Sequence, residues 1–263
     1  MIGYRGSTVL VTGASSGLGA EFASQLAARG ANLILVARRA ERLEALKADL
    51  LAKHGVIVNV IPTDLAAAGA SSALAAKITK LGLPVHSLIN NAGFGSHNRF
   101  EDEDADRVHE EVALNVAAVV DLSKVFYTEL LQHGTGVLVN VASTAAFQPV
   151  PRMAVYGASK AFVLSFTEAL WFEARPSGLK VIALCPGATA TEFFDVAGPE
   201  ARTGRVQSAS TVVGIALRAL DRRNPPPSVV TGFTNVAATI AERLMPRRAL
   251  VSAVGRLTRG RSR

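Results

Sequence analysis

Apolar and polar residues follow two alternating patterns along most of this chain. Short, nearly continuous apolar runs are typical of parallel strands buried on both faces, and apolar residues that recur every three or four positions are typical of helices with one buried side. The apolar runs predict strands at 9–11, 32–36, 56–61, 88–90, 136–141, 181–184 and 228–231. The periodic segments predict helices at 19–29, from about 41 through Leu43, Leu46 and Leu50, and at 73–81, 105–116, 119–133, 154–174 and 210–220.

The order of these elements predicts the fold class. Strand and helix alternate in the βαβ order of a parallel sheet that is covered on both faces. We therefore expect an α/β fold, with a single doubly wound domain of Rossmann type and a seven-stranded, mostly parallel sheet with helices on both faces. This catalytic domain is predicted to span residues 1–233. Within it, residues 187–206 show no strong period and are predicted to form a mobile segment on the substrate side.

Residues 234–263 are predicted to form a basic, amphipathic C-terminal extension. Its apolar positions fall into two stripes on either side of Pro246, namely Val236, Ile240 and Leu244, then Leu250, Val254 and Leu257. Arg247, Arg248 and Arg256 accompany the second stripe. Two interpretations stay open at this point: a helix docked on this subunit or a neighbouring one, with its arginines solvated, or a helix lying on an anionic membrane surface.

The distribution of charge argues against a nucleic-acid partner. The net charge is +7 and the isoelectric point is about 10.0. Residues 234–263 contain seven arginines and a single acid, Glu242, so the rest of the chain is close to neutral. The single cysteine, Cys185, excludes an internal disulfide, and His97 and His109 have no metal-ligand spacing. We expect no signal peptide, no membrane span and a cytoplasmic location, with membrane association only through the extension.

A glycine-rich turn follows the first predicted strand. Thr12-Gly13-Ala14-Ser15-Ser16-Gly17-Leu18-Gly19 has the spacing G-x-x-x-G-x-G between a strand and a helix. Glycines allow a sharp turn and a close approach to a pyrophosphate, whose charge is then stabilised by N–H groups at the helix N-terminus. Glycines in a tight turn can also be purely structural, but the flanking strand and helix favour a dinucleotide site. The predicted contacts are Gly13, Ser15, Ser16, Gly17, Leu18 and Gly19.

The end of the second predicted strand indicates which dinucleotide binds. A carboxylate there would bind a ribose 2′-hydroxyl and repel a 2′-phosphate. This chain has Ala37-Arg38-Arg39 and no acid before Glu41. Guanidinium groups bind phosphate with two parallel, charge-assisted hydrogen bonds. The alternative, two arginines that merely open a solvated helix, places positive charge unfavourably at the helix N-terminus. The predicted cofactor is NADP(H), with Arg38 and Arg39 as contacts.

Three residues downstream suggest proton transfer to or from a substrate oxygen. Ser143 follows the fifth predicted strand, and Tyr156 and Lys160 lie four residues apart in a predicted helix, so they share one face. A free tyrosine has a pKa of about 10, and an adjacent cation stabilises its phenolate and lowers that value. Lys160 and an oxidised nicotinamide would both act in this way. Ser143 would donate a hydrogen bond to the substrate oxygen as charge develops on it.

Taken in order, these motifs resemble the short-chain dehydrogenase/reductase family over roughly residues 7–191. The resemblance rests on the glycine-rich turn, Ser143 and Tyr156 with Lys160, and also on Asp64, Asn90-Asn91-Ala92-Gly93, Asn115, Pro186-Gly187 and Thr191. It implies a homodimer or homotetramer, built on the helices that hold residues 115–133 and 156–174. It also implies a catalytic set of Ser143, Asn115, Tyr156 and Lys160.

The resemblance assigns further roles residue by residue. Asp64 is expected to bind the adenine amino group, Asn91 to lie beside the adenosine ribose, and Lys160 to hold the nicotinamide ribose. Thr189 and Thr191 are expected to contact the carboxamide, and Asn115 to position a water that links Lys160 to solvent. The cofactor contacts implied after the arginines are Asp64, Leu65, Asn91, Ala92, Gly93, Tyr156, Lys160, Pro186, Gly187, Thr189 and Thr191.

Apolar residues that follow the strand ends suggest the substrate class. They are Phe94, Phe147, Pro149, Met153, Phe193 and Phe194, with Arg152 as the one candidate cation nearby. Such a wall favours a hydrophobic carbonyl or secondary alcohol, for example a ketosteroid, a retinoid or a fatty-acyl chain. The same aromatics would equally serve to pack the mobile segment. An NADP(H)-dependent oxidoreductase is the predicted function, and the alternative is a catalytically idle nucleotide-sensing or scaffold protein of the same fold.

Overall fold

The computed structural model describes residues 3–201 and 204–258, and these form a sheet of seven parallel strands in the order β3-β2-β1-β4-β5-β6-β9. The strands of this sheet are β1 (Thr8–Thr12), β2 (Asn32–Ala37), β3 (Val58–Pro62), β4 (Ser87–Asn90), β5 (Val137–Val141), β6 (Lys180–Cys185) and β9 (Ser228–Val230). A separate two-stranded pair consists of β7 (Thr189–Ala190) and β8 (Gln207–Ser208).

Helices cover both faces of the sheet. They are α1 (Gly17–Ala28), α2 (Ala40–His54), α3 (Ala70–Lys80), α4 (Ala105–Val112), α5 (Ala118–His133), α6 (Ala154–Ala174), α7 (Phe193–Ala197), α8 (Ala209–Leu220), α9 (Phe233–Leu244) and α10 (Arg247–Thr258). Val9 and Val11 of β1 pack towards α1, α2 and α8, while Leu10 between them packs towards α3, α5 and α6. Because both faces are covered, the strands are apolar throughout, and the predicted α/β fold is confirmed.

The sheet reverses its direction of growth between β1 and β4. From β1 the chain adds β2 and β3 on one side, and then returns to place β4 on the other side of β1. In open parallel sheets, the loops at the carboxyl ends of two such strands separate and leave a crevice in which ligands bind. The glycine-rich turn after β1 and the residues after β4 therefore meet at this crevice and form part of its wall.

Buried polar side chains connect the strands next to the crevice with the helices behind them. The Asn90 amide donates to Asn140 Oδ1 (2.9 Å) and to Ser123 Oγ (3.1 Å), and the Asn140 amide donates to Thr167 Oγ1 (2.9 Å). All four side chains are buried. A buried amide without a partner is costly, so this network favours a single alignment of β4, β5, α5 and α6.

The predicted strands agree with the structure to within two residues at each end, but four of the predicted helices differ. α1 begins at Gly17 rather than 19, and α3 begins at Ala70 rather than 73, directly after the left-handed Gly69. The predicted helices 105–116 and 119–133 are joined by a π-helical turn at Ala113–Ala117, so that they form one helical rod. A wide turn of this kind depends on contacts with the rest of the chain, which the apolar period does not reveal.

The segment 187–206 contains short regular elements that the sequence did not predict. These are β7, α7 and a 3₁₀ turn at Pro199–Ala201, while residues 202 and 203 lie outside the described part. The mobility of this segment stays a prediction.

The two apolar stripes of the C-terminal extension differ in burial. Leu250 and Val254 of α10 are only 3% and 6% exposed, so this stripe docks on the subunit itself. In contrast, Ile240 and Leu244 of α9 are 57% and 82% exposed. This burial supports the docked interpretation for the second stripe, whereas a neighbouring subunit or a membrane stays open as the partner of the α9 stripe. The Leu257 side chain and residues 259–263 lie outside the described part of the chain.

Candidate active site

A cavity of about 490 Å³ opens at the carboxyl ends of the central strands. Its lining comes mainly from the loops after each of the strands β1 to β6, together with α6, α7 and α10. This is the size range of sites that hold cofactors and small molecules. The crevice created by the strand order is thus continuous with a cavity that reaches the predicted catalytic residues.

The glycine-rich turn adopts a conformation that requires glycine at two positions. Gly13 and Gly17 have φ of 64° and 55°, in the left-handed region that other residues rarely adopt. A Cβ on Gly19 would stand 2.6 Å from the Asn91 amide and would also overlap the Gly13 carbonyl. Gly13 and Gly17 therefore shape the turn, whereas Gly19 does not line the cavity and instead allows α1 to pack closely on the turn.

Thr12 and Asn91 hold the turn against the loop after β4. Thr12 Oγ1 accepts hydrogen bonds from the backbone N–H groups of Asn91 (2.9 Å) and Ala92 (3.0 Å). The Asn91 amide donates to the carbonyls of Thr12 (3.0 Å) and Gly13 (3.3 Å). Asn91 lines the cavity, as predicted, and its side chain also fixes the edge of the turn.

The two arginines after β2 have different partners. Arg39 donates to Ser15 Oγ (3.0 Å) and Ser16 Oγ (2.9 Å) of the turn and pairs with Glu192 (2.8 Å). Arg38 instead pairs with Glu110 at 3.1 Å. Ser16 is the N-cap of α1 and makes no side-chain bond to that helix, and the first turn of α1 has no acidic residue. Two guanidinium groups and the N-terminus of α1 thus lie at one end of the cavity, where they could bind a dinucleotide phosphate.

Tyr156 and Lys160 lie one turn apart on α6, at the other end of the cavity. The Lys160 ammonium donates to the Val141 carbonyl at the end of β5 (2.9 Å) and lies 5.7 Å from the centre of the Tyr156 ring. The Ser143 hydroxyl is hydrogen-bonded to Tyr156 and accepts a bond from Ala145 N–H (3.1 Å). The structure therefore brings the three predicted residues together in one place.

Burial controls the ionisation of this pair in the protein alone. It raises the pKa of Tyr156 to about 12, and the hydrogen bond with Ser143 opposes that rise only in part. It also lowers the pKa of Lys160 to about 8. Burial, together with the charge of Glu111, sets the Tyr156 pKa in the chain alone, and a lowering of this pKa by Lys160 and an oxidised nicotinamide stays a prediction for the cofactor-bound protein.

Asn115 occupies the centre of the π-helical turn and is completely buried. Its Oδ1 accepts a bond from Phe94 N–H (3.1 Å), and its amide donates to the Phe94 carbonyl (2.8 Å) and to Ser159 Oγ (3.2 Å). A Cβ on Gly93 would stand 2.8 Å from Asn115 Oδ1 and 3.3 Å from Lys160 Nζ, so both groups border the same small space. Asn115 does not line the cavity itself; it holds the loop after β4 in place.

Glu111 is an unexpected carboxyl group close to the predicted catalytic residues. It is 2% exposed, and its Oε1 has no hydrogen-bond partner among the described residues. Burial, with the charge of Glu103 added, raises the pKa of Glu111 to about 7, while hydrogen bonds with Ser96 and then the charge of Lys160 act in the opposite direction. The sequence offered one signal for it, since Glu111 precedes Asn115 by one helical turn on the same face.

The cavity wall is apolar, but it differs in part from the prediction. Of the expected residues Phe94, Met153, Phe193 and Phe194 line it, whereas Phe147, Pro149 and Arg152 do not. Phe147 lies beneath the Arg243 guanidinium, 5.5 Å away, and this contact links it to α9 rather than to the cavity.

Val254 and Thr258 of α10 complete the wall, and the sequence had assigned them no role at the site. The predicted cofactor residues that line the cavity are Gly13, Ser15, Ser16, Gly17, Leu18, Arg38, Arg39, Asp64, Leu65, Asn91, Ala92, Gly93, Tyr156, Lys160, Pro186, Gly187, Thr189 and Thr191. Among residues 3–201 and 204–258 there is no group of three or more histidine, cysteine or acidic side chains that could hold a metal ion. No helix in the same residues has the length and hydropathy needed to cross a membrane.

Comparison with known sequences agrees with this arrangement. A family model described as short chain dehydrogenase matches residues 7–201. A sulfoacetaldehyde reductase from Chromohalobacter salexigens is 37% identical over 204 residues, which cover 77% of this chain and 78% of that protein. A very-long-chain 3-oxoacyl-CoA reductase from Phaeosphaeria nodorum is 33% identical over 204 residues, which cover 76% of this chain but only 60% of the reductase.

Solved structures resemble the whole described fold. A short-chain dehydrogenase from Sphingobium yanoikuyae in complex with NADPH has a TM-score of 0.82 and 36% identity, over 94% of this chain and 95% of that one. The bulky-bulky ketone specific alcohol dehydrogenase from Comamonas testosteroni has a TM-score of 0.77 and 31% identity, over 94% of each chain. A short-chain dehydrogenase/reductase from Burkholderia phymatum in complex with NAD has a TM-score of 0.81 and 26% identity, over 94% of this chain and 98% of that one.

Proposed function

Because this chain belongs to the short-chain dehydrogenase/reductase family and is an oxidoreductase acting on CH–OH or C=O groups, we propose that it is an NADP(H)-dependent reductase of hydrophobic carbonyl compounds. The observation that carries the proposal is the continuous cavity, which joins the arginine-lined phosphate end to Tyr156, Lys160 and Ser143. A catalytically idle protein of the same fold has no need for this complete set.

The preference for NADP(H) is supported by the charges at the end of β2. Arg38 and Arg39 line the cavity there, and Ala37 stands where a carboxylate would repel a 2′-phosphate. Arg39 is already bonded to Ser15 and Ser16, so its guanidinium faces the phosphate end of the turn. Asp64 also lines this end, where we assign it to the adenine base. The similar structure from Sphingobium yanoikuyae holds NADPH and the one from Burkholderia phymatum holds NAD, so similarity alone does not decide the cofactor. The proposed preference for NADP(H) therefore rests on the two arginines.

In the proposed reaction the cofactor transfers the hydride, and side chains of the protein transfer the proton and position the reactants. When bound, the nicotinamide supplies a hydride to the substrate carbon or accepts one from it. Tyr156 donates the proton to the substrate oxygen, and its raised pKa keeps the hydroxyl protonated at neutral pH. Ser143 stabilises the developing charge on that oxygen, Lys160 orients the nicotinamide ribose, and Asn115 holds the loop that borders Lys160.

The proposed substrate class follows from the wall of the cavity. Phe94, Met153, Phe193, Phe194 and Val254 surround the space next to Tyr156 with apolar surface. No arginine or lysine of the described residues lines that end of the cavity apart from Lys160, so we assign no anionic group to the substrate. A bulky ketone or its secondary alcohol fits such a wall, and a small charged aldehyde does not.

Turnover measurements test this proposal directly. The purified protein is assayed with NADPH or NADH against an aryl ketone, a ketosteroid, a 3-oxoacyl thioester and sulfoacetaldehyde, while oxidation of the cofactor is followed. We expect turnover of one or more hydrophobic ketones with NADPH and a lower kcat/KM with NADH. A clear preference for sulfoacetaldehyde would contradict the substrate class, and inactivity with every carbonyl would favour the idle alternative.

We also propose that the protein forms a homodimer or homotetramer through α5 and α6. Three large apolar side chains are exposed on these helices, Val125, Phe162 and Phe172. A symmetric interface would cover them without blocking the cavity. Light scattering of the protein as it elutes from a sizing column measures this directly, and a monomer at micromolar concentration would contradict the proposal.

A further inference from the structure

The Glu192 carboxylate lies across two arginines at the phosphate end of the cavity. One oxygen pairs at 2.8 Å with Arg39, which lines the cavity, and the other pairs closely with Arg42, which lies just outside the lining. These two guanidinium groups lower the pKa of Glu192 to about 2, so the carboxylate is charged at any physiological pH. Glu192 belongs to the segment just before α7, far from both arginines in sequence, so this contact exists only in the folded chain.

The same donors suit a phosphate group. Arg39 also bonds Ser15 and Ser16, so its guanidinium lies between the glycine-rich turn and Glu192. Glu192 accepts one charge-assisted hydrogen bond from each guanidinium, and two oxygens of a phosphate group could accept the same two bonds. One set of N–H groups cannot satisfy both anions at once.

We propose that Glu192 occupies the 2′-phosphate subsite when no cofactor is bound and that the 2′-phosphate of NADP(H) displaces it. Glu192 is then a specificity-determining residue that competes with the phosphate for Arg39 and Arg42. This inference rests on the proposed use of NADP(H). NAD(H), which has a 2′-hydroxyl in place of the phosphate, leaves Glu192 on its arginines.

The position of Glu192 connects this competition to the substrate wall. The next residue, Phe193, packs against the Tyr156 ring with centroids 5.3 Å apart. The preceding residue, Thr191, lies 3.1 Å from the place where a Cβ on Gly17 would stand. Release of Glu192 from Arg39 and Arg42 therefore frees a segment that touches both the turn and the catalytic tyrosine. NADP(H) and NAD(H) would leave this wall in two different arrangements.

Cofactor binding to Glu192→Gln tests the inference without any turnover. Dissociation constants of NADPH and NADH are measured by calorimetry for the native protein, for Glu192→Gln and for a control, Asp195→Asn. Asp195 lies in the same segment and makes no ion pair among the described residues, so the control removes an equal charge without freeing the arginines. We expect Glu192→Gln to bind NADPH about three- to tenfold more tightly, as the loss of a competing exposed ion pair implies. NADH binding should stay within about twofold in both variants, which also confirms that they are folded.

Two results would overturn the inference. If Glu192→Gln leaves NADPH affinity unchanged or weakens it, Glu192 does not compete for the subsite. If Asp195→Asn tightens NADPH binding equally, the effect is one of general charge rather than of occupancy. The proposed function fails differently, because a native protein that binds NADPH and NADH equally would contradict the NADP(H) preference whatever Glu192 does.

Discussion

Lys160 follows Tyr156 by one turn of α6, and its ammonium lies 5.7 Å from the centre of the Tyr156 ring. The ammonium donates a hydrogen bond to the Val141 carbonyl, which holds it in this position. This bond fixes the direction of the lysine before any cofactor binds. Burial nevertheless holds the pKa of Tyr156 at about 12 and that of Lys160 at about 8. In the absence of cofactor, the pair is therefore a protonated tyrosine beside a lysine that loses its charge above about pH 8.

Removal of the Tyr156 hydroxyl should abolish most of the turnover without removing the cofactor. We expect Tyr156→Phe to lower kcat by about 10²- to 10⁴-fold, the usual contribution of a positioned proton donor, with NADPH affinity within a few-fold of native. Tyr127→Phe is the matched control, because that hydroxyl donates to the Leu170 carbonyl and does not line the cavity. Similar rates for native protein and Tyr156→Phe would remove Tyr156 from the mechanism.

The charges after β2 should determine the choice of cofactor. Arg38→Gln and Arg39→Gln should each raise the dissociation constant of NADPH about tenfold and leave that of NADH nearly unchanged, because each removes a charge-assisted hydrogen bond to the phosphate. The measurement is cofactor titration by fluorescence. Arg99→Gln serves as control, since Arg99 pairs with Glu101 at the surface, away from the cavity. An equal loss of NADH affinity would mean that the arginines support the fold rather than the phosphate.

Glu111 should make stability depend on pH in a specific direction. Its pKa is raised to about 7 in the folded chain from an unfolded value near 4.5, so the folded state holds more protons between these values. The free energy of unfolding therefore falls as pH rises from about 4.5 to 7, and the buried charge persists as a penalty above that.

Glu111→Gln should remove this dependence. At about pH 8 we expect the free energy of unfolding of the variant to exceed that of the native protein by about 1–3 kcal/mol, and we expect this difference to vanish towards about pH 4.5. Denaturant titrations at several pH values across this range measure it. Glu101→Gln, an exposed carboxylate, should show no such trend. A parallel pH profile for native protein and Glu111→Gln would mean that Glu111 is ionised at no cost.

The docked face of α10 should contribute both to stability and to the substrate wall. Val254 is 6% exposed and lines the cavity, whereas Val251 on the same helix is 38% exposed. We expect Val254→Ala to lower the free energy of unfolding by about 1–2 kcal/mol and to raise KM for a bulky ketone, because it removes buried methyl groups from the wall. Val251→Ala should change both the free energy of unfolding and KM by much less. Equal effects of the two substitutions would contradict the docked position of α10.

The apolar pattern predicted the sheet well because burial on both faces leaves few alternatives for a parallel strand. All seven strands lie within two residues of their predicted ends. The same reasoning failed at Ala113–Ala117, where hydrogen bonds between the Asn115 side chain and the Phe94 backbone accompany a π-helical turn that the apolar period does not predict. For the α9 stripe the amphipathic spacing matches a helix with one apolar face, but this face is exposed in the single chain, so its partner stays a prediction.

Short sequence motifs predicted the residues assigned to the chemistry better than the residues that surround them in the folded chain. Tyr156 with Lys160, and the arginines after β2, could be read from the sequence because their roles depend on residue type and local spacing. Glu192 and Val254 could not, because they reach the site from segments distant in sequence. Phe147 was misplaced for the same reason: it follows a strand end, as predicted, but packs beneath Arg243.

The five residues Ala113–Ala117 form a turn wider than that of a regular α-helix, and the same residues hold Asn115 against the Phe94 backbone. A regular α-helix needs fewer residues per turn, and each residue added or removed rotates the rest of the helix by about 100°. A chain that lacked one residue of this turn could run a regular helix from α4 into α5, with better backbone geometry but with Asn115 turned away from Phe94. The turn therefore exchanges regular backbone geometry for a fixed position of the loop that borders Lys160.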